Sequence, residues 1–266
     1  MRRLLTGALF AVTMAGCGVS TQQEVQMGTQ YAQQINAQLP IVQDPEINRY
    51  INVLGNQIAQ RADQRGIQYR FYVVNSADIN AFAVPGGYVY VNRGLIERTN
   101  TLSQLAGVLG HEIGHVVRRH SVQQMQKMQG ANFGVILACT LTSVCASDVG
   151  RTAINVGGTA LFAKFSRDDE FEADQEAINN VMRAGIHPRG IPEMFQILIN
   201  ERRRGNSAVE SWFATHPTEE DRIARTQASI AQKDPAVLRT LTIDSQAFHS
   251  FRNRVRSLPP PPQTRR

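Results

Sequence analysis

The stretch TLSQLAGVLGHEIGHVV, residues 101–117, decides the fold. Leu102, Leu105, Val108, Leu109, Ile113 and Val116 recur at helical spacing and form one apolar face. Thr101 with Gln104 has the pattern of a capping box. The periodicity predicts a helix from near Thr101 to about Met125. On it, His111 and His115 stand one above the other on the same face, so their ring nitrogens can converge on one cation. Glu112, next in the chain, points toward the coordination position left open and can take a proton from water there. A solvated helix would not bracket such a cassette with Val108, Leu109, Ile113 and Val116. The expected cofactor is zinc, one Zn2+ per chain, with Glu112 as the catalytic base.

Two histidines do not complete a catalytic zinc site, which takes a third protein ligand. His120 follows His115 by five positions, which on a continuous helix turns it away from the ligand face. A second helix is expected after Ser166, an N-cap residue followed by Asp168, Asp169 and Glu170 in the first turn. Glu170 and Asp174 are four apart and share a face. One can bind a cation while the other accepts the free N–H of a ligand histidine; equally, an acidic first turn answers the helix dipole and nothing more. The residues alone leave both open.

Upstream, Asp44-Pro45 starts a helix with Ile47, Tyr50, Ile51, Leu54 and Ile58 on one face, and Gly66 ends that unit. Phe71 to Val74 is strand-like. Phe82-Ala83-Val84 and Tyr88-Val89-Tyr90-Val91, joined by Pro85-Gly86-Gly87, read as a hairpin. The 88–91 strand is expected to form the edge of a cleft, where an extended chain adds as a further strand. Downstream, amphipathic helices are expected near 190–203 and 218–232. The fold class is α+β, mainly α-helical, with a small antiparallel sheet beside the motif helix. The apolar run Phe133 to Ala146 is too short to span a bilayer.

The 266 residues are ample for a core. Net charge is +6, but Arg2, Arg3, Arg265 and Arg266 sit at the two ends, so the body is close to balanced. No basic stripe is interleaved with aromatics, which argues against nucleic acid as a partner. Arg2-Arg3, the apolar stretch Leu4 to Met14 and Ala15-Gly16-Cys17 have the architecture of a secretory signal of the lipoprotein kind, with Cys17 as the lipidated residue. That resemblance, with Gly18 after the cysteine, implies the periplasmic face of an outer membrane; a soluble periplasmic protein is the alternative. Cys139 and Cys145 are a disulfide candidate in an oxidising compartment. Six positions along an unbroken helix would separate them by roughly 9 Å, beyond disulfide reach, so a bridge requires a break between them.

Ser166-Arg167-x-x-Glu170-Phe171-Glu172-Ala173-Asp174 downstream of His-Glu-x-x-His resembles the HtpX/BepA-type zinc endopeptidases, a family that includes the CAAX prenyl proteases and mitochondrial Oma-type proteases. Asn80-Ala81-Phe82-Ala83 with Pro85-Gly86-Gly87, and His216-Pro217 with Arg222-Ile223, are similar to it as well. The resemblance covers roughly residues 25–230. It implies a zincin-like (gluzincin) fold, with Glu170 as third zinc ligand and Asp174 behind the ligands. It implies that His216 lies over the zinc and gates it, and that Arg222 is a catalytic residue stabilising an oxyanion. The implied organisation is a lipoprotein signal peptide over 1–16, a tether over 17–26, a zinc metalloprotease domain over 27–235, and a C-terminal extension over 236–266 ending in a Pro-rich disordered tail. The implied substrates are unfolded or unassembled envelope proteins, with the envelope assembly machinery as partner and a lipid anchor through Cys17.

Overall fold

The computed structural model describes residues 19–127, 164–217 and 220–261. Cys17, Cys139 and Cys145 lie outside them, so the lipid anchor and the disulfide concern residues outside the described ones. The elements run α1 (Thr21–Gln38), α2 (Pro45–Ala62), β1 (Arg70–Val74), β2 (Ala81–Val84), β3 (Tyr88–Asn92), α3 (Arg93–Arg98), α4 (Leu102–Val117) and α5 (His120–Lys127). After the undescribed stretch come α6 (Arg167–Arg183), α7 (Gly190–Arg203), α8 (Glu210–Thr215), α9 (Glu220–Ala231), α10 (Pro235–Leu238) and α11 (Gln246–Arg256). No helix among the described residues is long and apolar enough to cross a membrane.

The motif helix α4 is the axis of the molecule. It is buried from Leu102 to Val116 and packs against α2, α6, α7 and β2. One apolar face sufficed to predict a helix; burial on all sides follows because Gly107, Gly110 and Gly114 let α6 and α7 approach where side chains would stand. Thr101 precedes α4 but makes no side-chain cap; the Gln104 carbonyl accepts instead from the backbone of Asn100.

Three expectations are corrected. The helix does not run on to Met125. It ends at Val117, and Arg119, a non-glycine residue at φ 60, turns the chain before α5 begins at His120. The sheet is mixed rather than antiparallel: β2 and β3 form the expected hairpin, but β1 pairs with β3 in parallel, giving the order β1-β3-β2. The 88–91 strand is therefore central, and its backbone has a neighbour on each side. It cannot be the cleft edge; β2, which lies against α4, is an edge. Adjacency in sequence exposes a hairpin, whereas a parallel pairing between β1 and β3 leaves no local turn signature.

Part of the expected tether is helical, and the expected C-terminal extension contributes to the core. α1 starts at Thr21, inside the stretch expected as a tether, behind a full capping box between Ser20 and Gln23. Its Glu24 is fully buried and meets Arg65 at 3.1 Å and Arg119 at 2.8 Å. A Cβ at Gly28 would fall 1.8 Å from the carbonyl oxygen of Pro85, so α1 rests directly on the hairpin turn. Within the expected C-terminal extension, α11 buries Phe248, Phe251 and Val255 in the same core as α2 and α4. Phe251 stacks on Tyr50 with ring centroids 4.4 Å apart.

Candidate metal centre

His111 and His115 project from the last two turns of α4, and their Nε2 atoms come within 3.0 Å. α6 crosses α4 there. Its N-terminus is fixed by Ser166, whose hydroxyl accepts from the backbone N–H of Asp169 while the Asp169 carboxylate accepts from that of Ser166. This sets the first inward carboxylate, Glu170, 3.5 Å from each histidine Nε2. One turn on, Asp174 places Oδ1 2.9 Å from His111 Nδ1. The loop after α8 brings in His216, with Nδ1 3.0 Å from Glu170 Oε1 and Nε2 3.5 Å from Glu112 Oε1.

His111, His115, Glu170 and His216 thus form one buried set whose donor atoms all lie within 4.8 Å of one another. Tetrahedral zinc with bonds of about 2.0–2.2 Å holds its donors roughly 3.3–3.5 Å apart, close to the observed 3.0 and 3.5 Å. Glu112 Oε1 is buried and finds no partner within hydrogen-bonding geometry. A buried carboxylate oxygen left so is costly without a cation or water beside it. The residues fit a zinc ion.

Electrostatics separate the members of the set. Burial alone would lower the pKa of His111, but hydrogen bonds to Asp174 and Glu170 outweigh it and push the group up to about 9. Burial dominates at His115 and drives it well below the ordinary histidine value. Burial likewise pushes Glu112 up, against the nearby charges of His216 and His111. Glu170 goes the other way: the Arg222 guanidinium overcomes the effect of burial and holds it well below the usual carboxylate range.

Arg222, on α9, is buried and gripped by the acids. Its Nε and Nη2 donate to the two Asp174 oxygens at 2.8 and 2.6 Å, and Nη1 lies 2.5 Å from Glu170 Oε2. Expected as an oxyanion donor, it is engaged here in orienting two carboxylates. Phe195 on α7 supports the guanidinium from 4.2 Å.

Some members of the site were not anticipated. His120, expected to point away, returns through the Arg118–Arg119 turn and sets its Nδ1 2.9 Å from His115 Nδ1. Phe165, just before α6, stacks on the His115 ring at 3.9 Å, and Trp212 lies 4.6 Å from the His216 ring. No spacing rule links either aromatic to the motif. His187 and His249 stay outside the centre, in a turn before α7 and beside Asp244 respectively.

The family model described as Peptidase family M48 matches residues 45–230. The chain is similar to the beta-barrel assembly-enhancing protease of Yersinia pestis, 33% identical over 229 residues, which are 84% of this chain and 47% of that protein. The protein of the same name from Escherichia coli (strain K12) is 32% identical over 236 residues, 86% of this chain and 48% of the relative. The metalloprotease YcaL of Escherichia coli (strain K12) is 29% identical over 199 residues, 66% of this chain and 74% of that one. The chain spans about half the length of the first two relatives.

Proposed function

The chain belongs to peptidase family M48, and from that premise we propose that it is a zinc-dependent metalloendopeptidase in which His111, His115 and Glu170 hold the ion and Glu112 is the general base. The observation that supports this most is the buried convergence of those donors, with Glu112 one residue from a ligand and directed into the same space. A bound zinc ion would supply Lewis acidity to the attacking water and to the scissile carbonyl.

The remaining work falls to side chains. Glu112 removes a proton from the attacking water as the carbonyl carbon is attacked. It returns that proton to the leaving amine. Its raised pKa suits a group that must both take and give. Asp174 Oδ1, 2.9 Å from His111 Nδ1, favours the tautomer with its proton on Nδ1, which leaves the Nε2 lone pair for the ion. Arg222 keeps Glu170 ionised and orients both Glu170 and Asp174; a part in oxyanion stabilisation requires it to leave them. His216, the fourth donor of the buried set and 3.5 Å from Glu112, supports a gating role for that residue.

The substrates we infer are unfolded or unassembled envelope proteins, bound as extended chains along the edge strand β2. The relatives named for beta-barrel assembly support an assembly machinery as partner. The Arg2-Arg3, Leu4 to Met14 and Ala15-Gly16-Cys17 pattern supports export and a lipid anchor at Cys17 on the periplasmic face of the outer membrane.

Glu112→Gln tests the mechanism. Casein cleavage should fall by about 10²–10⁴-fold, the usual contribution of a general base, while zinc content by atomic absorption stays near one per chain. Cleavage at the wild-type rate would sink the assignment. Rescue of envelope assembly by the same variant in cells would instead favour a second role, holding clients in the cleft.

A further inference from the structure

The two histidines of α4 are not supported alike. His111 turns its Nδ1 to a carboxylate, Asp174, at 2.9 Å. His115 turns its Nδ1 to another imidazole, His120 Nδ1, at 2.9 Å. Two ring nitrogens at that distance need one proton between them, and where it sits decides what His115 can do.

If His120 donates, His115 Nδ1 is the acceptor and the neutral ring carries its proton on Nε2. That nitrogen is the one facing His111 Nε2 at 3.0 Å and Glu170 Oε1 at 3.5 Å, and in that form it has no lone pair for a metal. If His115 donates, its Nε2 is bare and ready. His120 is then the acceptor at Nδ1 and carries its own proton on Nε2. The surroundings favour the second arrangement. His120 Nε2 makes no hydrogen bond, and the groups it lies near at ion-pair distance are two carboxylates, Glu172 at 3.5 Å and Asp169 at 3.8 Å, whose charge favours a proton on the nitrogen facing them and which accept and do not donate when ionised. Arg118, in the turn between α4 and α5, lies 3.7 Å from Glu172 and 2.9 Å from Glu176, keeping acceptors on that side.

We propose that His120 is a positioning residue for the metal centre: passing from the Asp169 and Glu172 carboxylates through His120 to His115, a fixed order of protons leaves His115 Nε2 free to bind the ion. The inference rests on the metal-centre reading above. It also explains the interruption of the motif helix. A helix continued through residue 120 would carry that side chain round to another face; the turn at Arg119, with φ 60, brings it back. The residue is 2% exposed, so no water replaces the contact readily.

The test measures zinc affinity of the purified chain by chelator competition, alongside unfolding curves. His120→Leu removes the acceptor and should weaken zinc by about 10–100-fold, the usual loss when a ligand's outer partner is removed. His120→Gln restores a carbonyl acceptor and should recover most of that loss. A leucine variant binding zinc as tightly as wild type, or a glutamine variant no better than leucine, overturns the proposal. An independent readout needs no variant: ¹⁵N NMR of the zinc-loaded wild-type chain should show His120 neutral with its proton on Nε2, and a proton on Nδ1 overturns the proposal. A wild-type chain that binds no zinc would instead defeat the metal-centre reading itself.

Discussion

Arg222 has the most to lose at the level of single residues. It is the counter-charge for two buried carboxylates, Glu170 and Asp174, and both oxygens of the latter lean on it. Arg222→Met leaves them facing each other without it. Breaking a buried ion pair from one side costs roughly 3–5 kcal/mol, so the urea midpoint of the zinc-free protein should fall accordingly. Added zinc should restore part of the loss, because Glu170 then has another cation. His111, Glu112 and His115 were legible in sequence because helical geometry turns a spacing of four into a shared face. Glu170 and Asp174 were legible as a pair, but their use rested on a resemblance. His120 was not legible, since its position depends on a positive φ at an arginine, for which sequence carries no mark.

The contact between α4 and α6 sets the distance between the proposed ligands on different elements. A Cβ on Gly114 would come 2.9 Å from the carbonyl oxygen of Ala173 and 3.1 Å from its Cα. Backbone cannot step aside as a side chain end can. Gly114→Ala should therefore wedge α6 outward, costing about 1–3 kcal/mol as overpacking does, and should weaken zinc because Glu170 moves with α6. Calorimetry and chelator competition on the same sample check both halves; a stability loss with unchanged zinc affinity would mean that α6 rotates rather than retreats. Helices with one apolar stripe were readable at this scale, as α2, α4 and α7 show. α1 was missed because its mostly polar surface masks a contact made through Glu24 and Gly28. The parallel β1–β3 pairing was missed because it joins segments with another strand between them in sequence.

Across the whole molecule, a charged cluster ties the chain's beginning to its middle. Asp63 accepts from Arg65 at 2.7 Å and from the Tyr69 hydroxyl at 2.8 Å, while Arg65 also meets Glu24 and the Val116 carbonyl at the end of α4. Burial pushes Asp63 up, but hydrogen bonds from Arg65 and Tyr69 outweigh this and hold it below the ordinary carboxylate value. The unfolded chain therefore binds the proton more readily. The contribution to stability is complete above an ordinary pKa of about 3.9 and is lost as pH falls through the lower folded value. Thermal unfolding followed from pH 6 downward should lose less for Asp63→Asn than for wild type, and equal slopes would contradict this account. The spacing of Phe248, Phe251 and Val255 was there to be read in the sequence, yet nothing local says that an extension beyond residue 235 packs into the core of α2 and α4. His111, His115, Glu170 and His216 are each at most 2% exposed. An ion among them would be out of direct reach of a chelator for as long as these side chains stay buried. Metal exchange should thus behave as a clock set by the protein: with excess EDTA, the rate of zinc loss reaches a plateau that more EDTA does not raise, and that plateau is the opening rate of the fold.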